Sequence, residues 1–122
     1  MKTLVLLAAI LLSGCATFGD TFSDWNKTDK AIYDALTVCH VLDYLQTESA
    51  MDSGEYKELN PLLGSSPSDE RLAAMKAGVL GLQWSMAETI DAEWRRTYFG
   101  TQLAFCGAAV LHNHYVGVRI EL

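Results

Sequence analysis

The chain opens with an unbroken apolar run, Leu4 to Leu12, and only later settles into a helical rhythm of apolar and polar positions. The run follows Lys2 and ends at the small residues Ser13 and Gly14. A positive start, a short apolar stretch and a small-residue cut site describe a secretory signal. The run is too short to span a bilayer as a helix, which takes about 20 residues. Residues 16–27 are mostly small or polar and show no helical period. They predict a tether that reaches roughly 40 Å when fully extended. Its aromatic residues Phe18, Phe22 and Trp25 can sit at the level of lipid headgroups or dock on the domain that follows.

Three helices are predicted beyond the tether. The first is capped by Thr28 or Asp29 and runs to about Met51. Its polar residues Asp34, Thr37, His40, Asp43 and Gln46 recur every third place and read as one stripe beside a wide apolar face. Asp52-Ser53-Gly54 closes it, and a loop with Asn60-Pro61 follows. Ser66 as cap, Pro67 at the first helical position and the acids Asp69 and Glu70 predict a second helix from Pro67 to about Thr89. Thr89 or Asp91 can cap a third, from about Ala92 to Val116, although nothing between Glu88 and Trp94 forbids one bent helix. Thr97 to Val118 is free of formal charge if the histidines are neutral, long enough to span a bilayer. Gln102, His112, Asn113 and His114 are costly there unless they face other helices. Gly100, Ala104 and Ala108, four apart, predict the closest helix crossing.

Composition narrows the class. Cleavage after Gly14 removes 14 of 122 residues and leaves 108, one domain with a modest core. The chain has 9 Lys and Arg against 15 Asp and Glu, and no basic cluster, which argues against nucleic acid as a partner. Anionic headgroups repel it as well, so attachment to a membrane falls to lipid.

Leu12-Ser13-Gly14-Cys15 resembles the lipobox of bacterial lipoproteins at all four positions. The resemblance implies cleavage before Cys15, a diacylglycerol thioether on its sulfur and a fatty acyl group on the new amine. No other cofactor is expected. Two or more acyl chains hold a protein stably on a membrane. Ala16 resembles a residue permissive for sorting to the outer membrane, which houses barrels rather than apolar helix bundles. A periplasm-facing helical domain on a lipid tether is therefore expected, with helices in the inner membrane as the alternative. Cys39 and Cys106 remain in a compartment that permits disulfides. They either pair across two helices or serve as small buried apolar side chains.

Asp43-Tyr44-Leu45-Gln46-Thr47, Glu58-Leu59-Asn60-Pro61-Leu62, Lys76 and Asn113 together resemble a family of small bacterial membrane proteins classed as a domain of unknown function. The likeness covers roughly residues 36–116. It implies a compact helical unit associated with a membrane and no established activity. The lipobox departs from that family's pattern and argues against an integral multi-span topology.

The residues that carry chemistry are Asp43, Thr47, Glu58, Asn60, Lys76 and Asn113, with His40, His112 and His114 beside them. A zinc site would recruit His40, Asp43 and either His112 or His114. His112 and His114 diverge by roughly 200° on a helix, and no His-x-x-x-His or Cys-x-x-Cys occurs, so no metal is expected. No Gly-x-Ser-x-Gly or Gly-rich phosphate loop occurs, and Cys39 and His40 diverge by about 100° on a helix, so no enzyme is expected. The cluster reads instead as a structural latch. Asp43 and Thr47 bond the backbone around Asn60-Pro61, and Lys76 neutralises Glu58 or Asp43.

The whole chain thus reads as a signal peptide (1–14), a lipidated cysteine and tether (15–27) and an all-α domain (28–122). That domain is expected to be a small antiparallel three-helix bundle with an interaction or structural role toward another envelope protein. A small metal- or ligand-binding module at the membrane is the other reading.

Overall fold

The computed structural model describes residues 22–58 and 60–120. The signal peptide, Cys15 and residues 16–21 lie outside the described residues. Three helices form the fold: α1 (Lys27–Ser53), α2 (Asp69–Thr89) and α3 (Ala92–Tyr115). The described residues are all-α. Helix α1 is the spine, packing most extensively on α3 and less on α2, while α2 and α3 barely touch.

Helix α3 starts at Ala92 as expected, while the starts of α1 and α2 differ from expectation by two or three residues, each for a local reason. Neither Thr28 nor Asp29 caps α1. Asn26 does, its Oδ1 accepting from the Asp29 amide at 2.8 Å while its Nδ2 donates to the Asp29 carboxylate at 2.9 Å. Asp29 thus answers the cap from the first turn, where the helix dipole favours its charge. Ser68, not Ser66, caps α2, with Oγ accepting from the Arg71 amide at 3.3 Å. Pro67 stays outside the helix, and Asp69 and Glu70 become its first two residues. Gly54 ends α1 at φ +72°, donating to the Met51 carbonyl. A positive φ there suits glycine, which has no Cβ to clash.

No single bent helix joins α2 to α3. Ile90 is extended, at φ −88° and ψ 152°, and Asp91 precedes the new helix without a side-chain cap. Buried Arg95 secures the corner: its Nε donates to the Ala87 carbonyl at 2.8 Å and its guanidinium lies 5.1 Å from the Trp25 ring.

Of the aromatic residues in the expected tether, Phe22 and Trp25 dock on the domain and pack with its core, while Phe18 lies outside the described residues. Phe22 stacks on Trp84 with centroids 4.8 Å apart, and buried Trp25 packs on Tyr33 and Phe99 at 5.8 and 5.2 Å. With Leu36 and Ala87 these rings fill one end of the bundle. A smaller cluster of Tyr44, Leu63 and Leu72 fills the other. Within the first cluster, Cys39 and Cys106 are disulfide-bonded and join α1 to α3, with Cα atoms 6.2 Å apart.

Two surface expectations are overturned. The every-third-residue stripe of α1 does not stay on one face. His40 and Gln46 are buried while Asp34 is exposed. Three residues advance the helix by about 300°, so four such steps drift by roughly 240° and carry the row from solvent into the core. Gly100, Ala104 and Ala108 do not form the closest crossing. Ala104 and Ala108 are exposed, and a Cβ at Gly100 would meet nothing within 4 Å. Helix α3 uses Phe99, Leu103, Cys106 and Val110 instead, which pack into the main cluster at alternating steps of four and three.

Candidate functional site

The polar residues singled out in the sequence separate into two groups. Asp43, Lys76 and Asn113 meet in the interior, one from each helix. Lys76 Nζ donates to Asp43 Oδ2, and Asn113 Nδ2 donates to Asp43 Oδ1 at 3.2 Å. Asn113 also donates to Gln46 Oε1 at 3.3 Å, and Gln46 Nε2 donates to the Val110 carbonyl at 3.2 Å. The ion pair is only partly screened from solvent, its side chains 23% and 15% exposed. Lys76 is the one charged residue between Leu72 and Ala87 on α2, and Asp43 supplies its counter-charge.

Thr47, Glu58 and Asn60 do not join that group. Thr47 Oγ1 donates to the Asp43 carbonyl at 2.8 Å, a bond within α1. Glu58 Oε1 accepts from the Asn60 amide at 2.8 Å, and Asn60 Oδ1 accepts from the Leu62 amide at 3.0 Å. The loop is therefore folded by its own side chains, and buried Leu63 pins it against Tyr44 and Leu72. The expected latch from Asp43 and Thr47 to the Asn60-Pro61 backbone is replaced by one that ties three helices together. Lys76 neutralises Asp43, not Glu58.

The histidines are not brought together. His40 is buried one turn before Asp43, and its ring nitrogens have no hydrogen-bond partner among the described residues. His112 and His114 are exposed near the end of α3, where His114 Nδ1 lies 3.3 Å from Arg119 Nη1. Among the described residues no group of three or more His, Cys, Asp or Glu is placed to hold a metal ion. Cys39 is spent in the disulfide, so the adjacent His40 faces no free thiol.

A half-open cavity of about 300 Å³ lies where the end of α1, the following loop and the end of α3 converge. Its polar lining includes Lys57, Glu58, His112, Gln46 and Asn113, and through the last two it adjoins the Asp43 cluster.

Sequence reasoning missed a second polar contact. Buried Gln83 on α2 donates to Gln102 Oε1 on α3 at 3.2 Å. The signal was there: Gln83 is the only strongly polar side chain between Ala77 and Trp84. Searches against protein-family models, curated proteins and solved structures gave no match for this chain.

Proposed function

We propose that this chain is a lipid-anchored protein of the bacterial envelope whose helical bundle acts as a non-catalytic interaction or structural module. The observation that carries the non-catalytic reading is the use made of its reactive groups. Asp43 is shared between Lys76 and Asn113, and Cys39 is bonded to Cys106. Each holds helices to one another, and none presents a free nucleophile beside a base. The disulfide supports an oxidising compartment outside the cytoplasm. The docking of Phe22 supports a short leash. Six residues, 16–21, lie in sequence between Cys15 and Phe22, and even fully extended they reach no more than about 20 Å. A partner is therefore sought at or near the membrane surface.

The test is the N-terminus of the protein extracted from membranes. The expected N-terminal peptide begins at Cys15 and carries the mass of a diacylglycerol and an acyl chain, and Cys15→Ser abolishes both. A chain that begins at Met1 without added mass defeats the anchor. Crosslinking in intact membranes followed by capture of the chain then identifies the partner protein.

A further inference from the structure

Beside its aromatic core the bundle also buries polar groups and leaves large apolar ones outside. Charged or strongly polar side chains at His40, Gln46, Glu48, Gln83, Glu88 and Arg95 are buried. Large apolar side chains stand outside on every helix: Val38 on α1 is 59% exposed, Leu82 on α2 62%, Phe105 and Leu111 on α3 72% and 70%. A helix on the surface of a water-soluble domain normally shows the reverse.

The charges follow the same plan. On α1 no exposed charged side chain stands between Asp34 and Asp52, because Asp43 is paired and Glu48 is buried. On α2 none stands between Arg71 and Asp91 other than the paired Lys76, and on α3 none between Arg96 and Arg119. At 1.5 Å per residue the helical parts of these stretches, 35–51, 72–89 and 97–115, are about 25, 27 and 28 Å long. The hydrocarbon layer of a bilayer is about 30 Å thick. Trp94, 61% exposed, and Tyr115, 88% exposed, stand near the two ends of the α3 stretch, where aromatic residues favour the lipid–water boundary.

No described helix is long and apolar enough to cross a membrane by itself. Hydropathy averaged along a helix mixes its faces: on α1 and α2 His40, Gln46, Glu48, Gln83 and Glu88 are turned inward, while the polar residues that α3 leaves exposed, Thr97, Thr101, His112 and His114, lie toward its ends. Inside, two sets of polar groups serve one another: Asp43 with Lys76 and Asn113, and Gln83 with Gln102. That is how polar residues are accommodated within lipid.

We propose that this uncharged belt faces the acyl chains of a bilayer, so that the bundle is set into the membrane rather than held beside it. The proposal rests on the lipid-anchor reading only in that a membrane lies within reach of Cys15. A second copy of the chain or a protein partner would cover one face, whereas the exposed apolar residues lie on all three helices. The membrane is then the inner one, against the sorting that Ala16 suggests.

The test uses the full-length, processed protein in vesicles of phosphatidylethanolamine and phosphatidylglycerol. The vesicles contain a phospholipid with a diazirine near the end of one acyl chain. After photolysis, adducts are mapped by peptide mass spectrometry. Adducts are expected on the segments carrying Val38, Leu82, Phe105 and Leu111. Leu62 serves as the control: it is 71% exposed but lies in the loop beyond the belt, and it should be labelled at least fivefold less than Phe105. Adducts confined to the peptide that begins at Cys15, or equal labelling of Leu62 and Phe105, would overturn the proposal. So would recovery of the native protein in the outer-membrane fraction. An N-terminal peptide without acyl mass, with the belt labelled, defeats the anchor and leaves the belt standing.

Discussion

Lys76 on α2 is held by Asp43 on α1, and the second oxygen of the same carboxylate takes Asn113 from α3. One side chain therefore closes all three helices around a partly buried charge. Asp43→Ala leaves Lys76 without its counter-charge and Asn113 short of an acceptor. The expected cost is about 1–3 kcal/mol, less than for a fully buried pair because water still reaches both groups. Lys76→Met alone should cost a similar amount. The double variant Asp43→Leu with Lys76→Met should cost less than the sum of the singles, since it strands no charge. Denaturant unfolding followed by circular dichroism in a mild detergent measures all three. Additive losses would mean that the two residues do not stabilise the bundle as a pair.

The cap of α1 makes a sharper prediction. Asn26→Ala removes the acceptor for the Asp29 amide and should cost about 1–2 kcal/mol, whereas Thr28→Ala should stay within about 0.5 kcal/mol of the parent. The same unfolding assay separates them. Equal effects would place the helix start where the sequence first suggested it.

Reduction should loosen α1 from α3. Cys39 and Cys106 are separated by 67 positions, and a cross-link closing a loop of that size contributes about 2–4 kcal/mol. Cys39→Ser with Cys106→Ser should lower stability by that amount and make the bundle indifferent to reductant. Free-thiol titration of the unfolded native protein checks the bond itself, since two reactive thiols without reductant would contradict it.

These residues also show what the sequence could and could not reveal. The three helices were legible because their ends carry local signals: Gly54, the acids Asp69 and Glu70, and Asp91 before Ala92. Each cap choice between neighbouring candidates was not, because it depends on which side chain reaches an amide, as Asn26 does and Thr28 does not. Asp43, Lys76 and Asn113 were legible as polar residues in apolar surroundings. Their partners were not, because the rotation of each helix about its axis decides them. The same rotation hid the outer surface. A row with period three turns gradually around a helix, so Asp34 and Gln46 end on different sides. The Gly100, Ala104 and Ala108 row looked like a crossing face although Phe99, Leu103, Cys106 and Val110 on the same helix make the contact.

Without its lipid, the protein should still be held on the membrane by its exposed apolar belt. Residues 1–15 are replaced by a secretory signal that is removed without lipidation, so that residues 16–122 are exported with no acyl chain. A domain standing in water would then be recovered in the soluble periplasmic fraction. The exposed Val38, Leu82, Phe105 and Leu111 predict the opposite, a chain that sediments with membranes after carbonate extraction. Introducing charge into the belt tests the cause. At the centre of a bilayer a charged residue costs about 2.5–3.5 kcal/mol, so Leu82→Asp together with Phe105→Asp should shift most of the chain to the supernatant. Leu62→Asp, equally exposed but outside the belt, should leave the distribution unchanged. A folded, monomeric, soluble parent chain would show that the apolar belt is tolerated in water, and the lipid on Cys15 would then be the sole attachment.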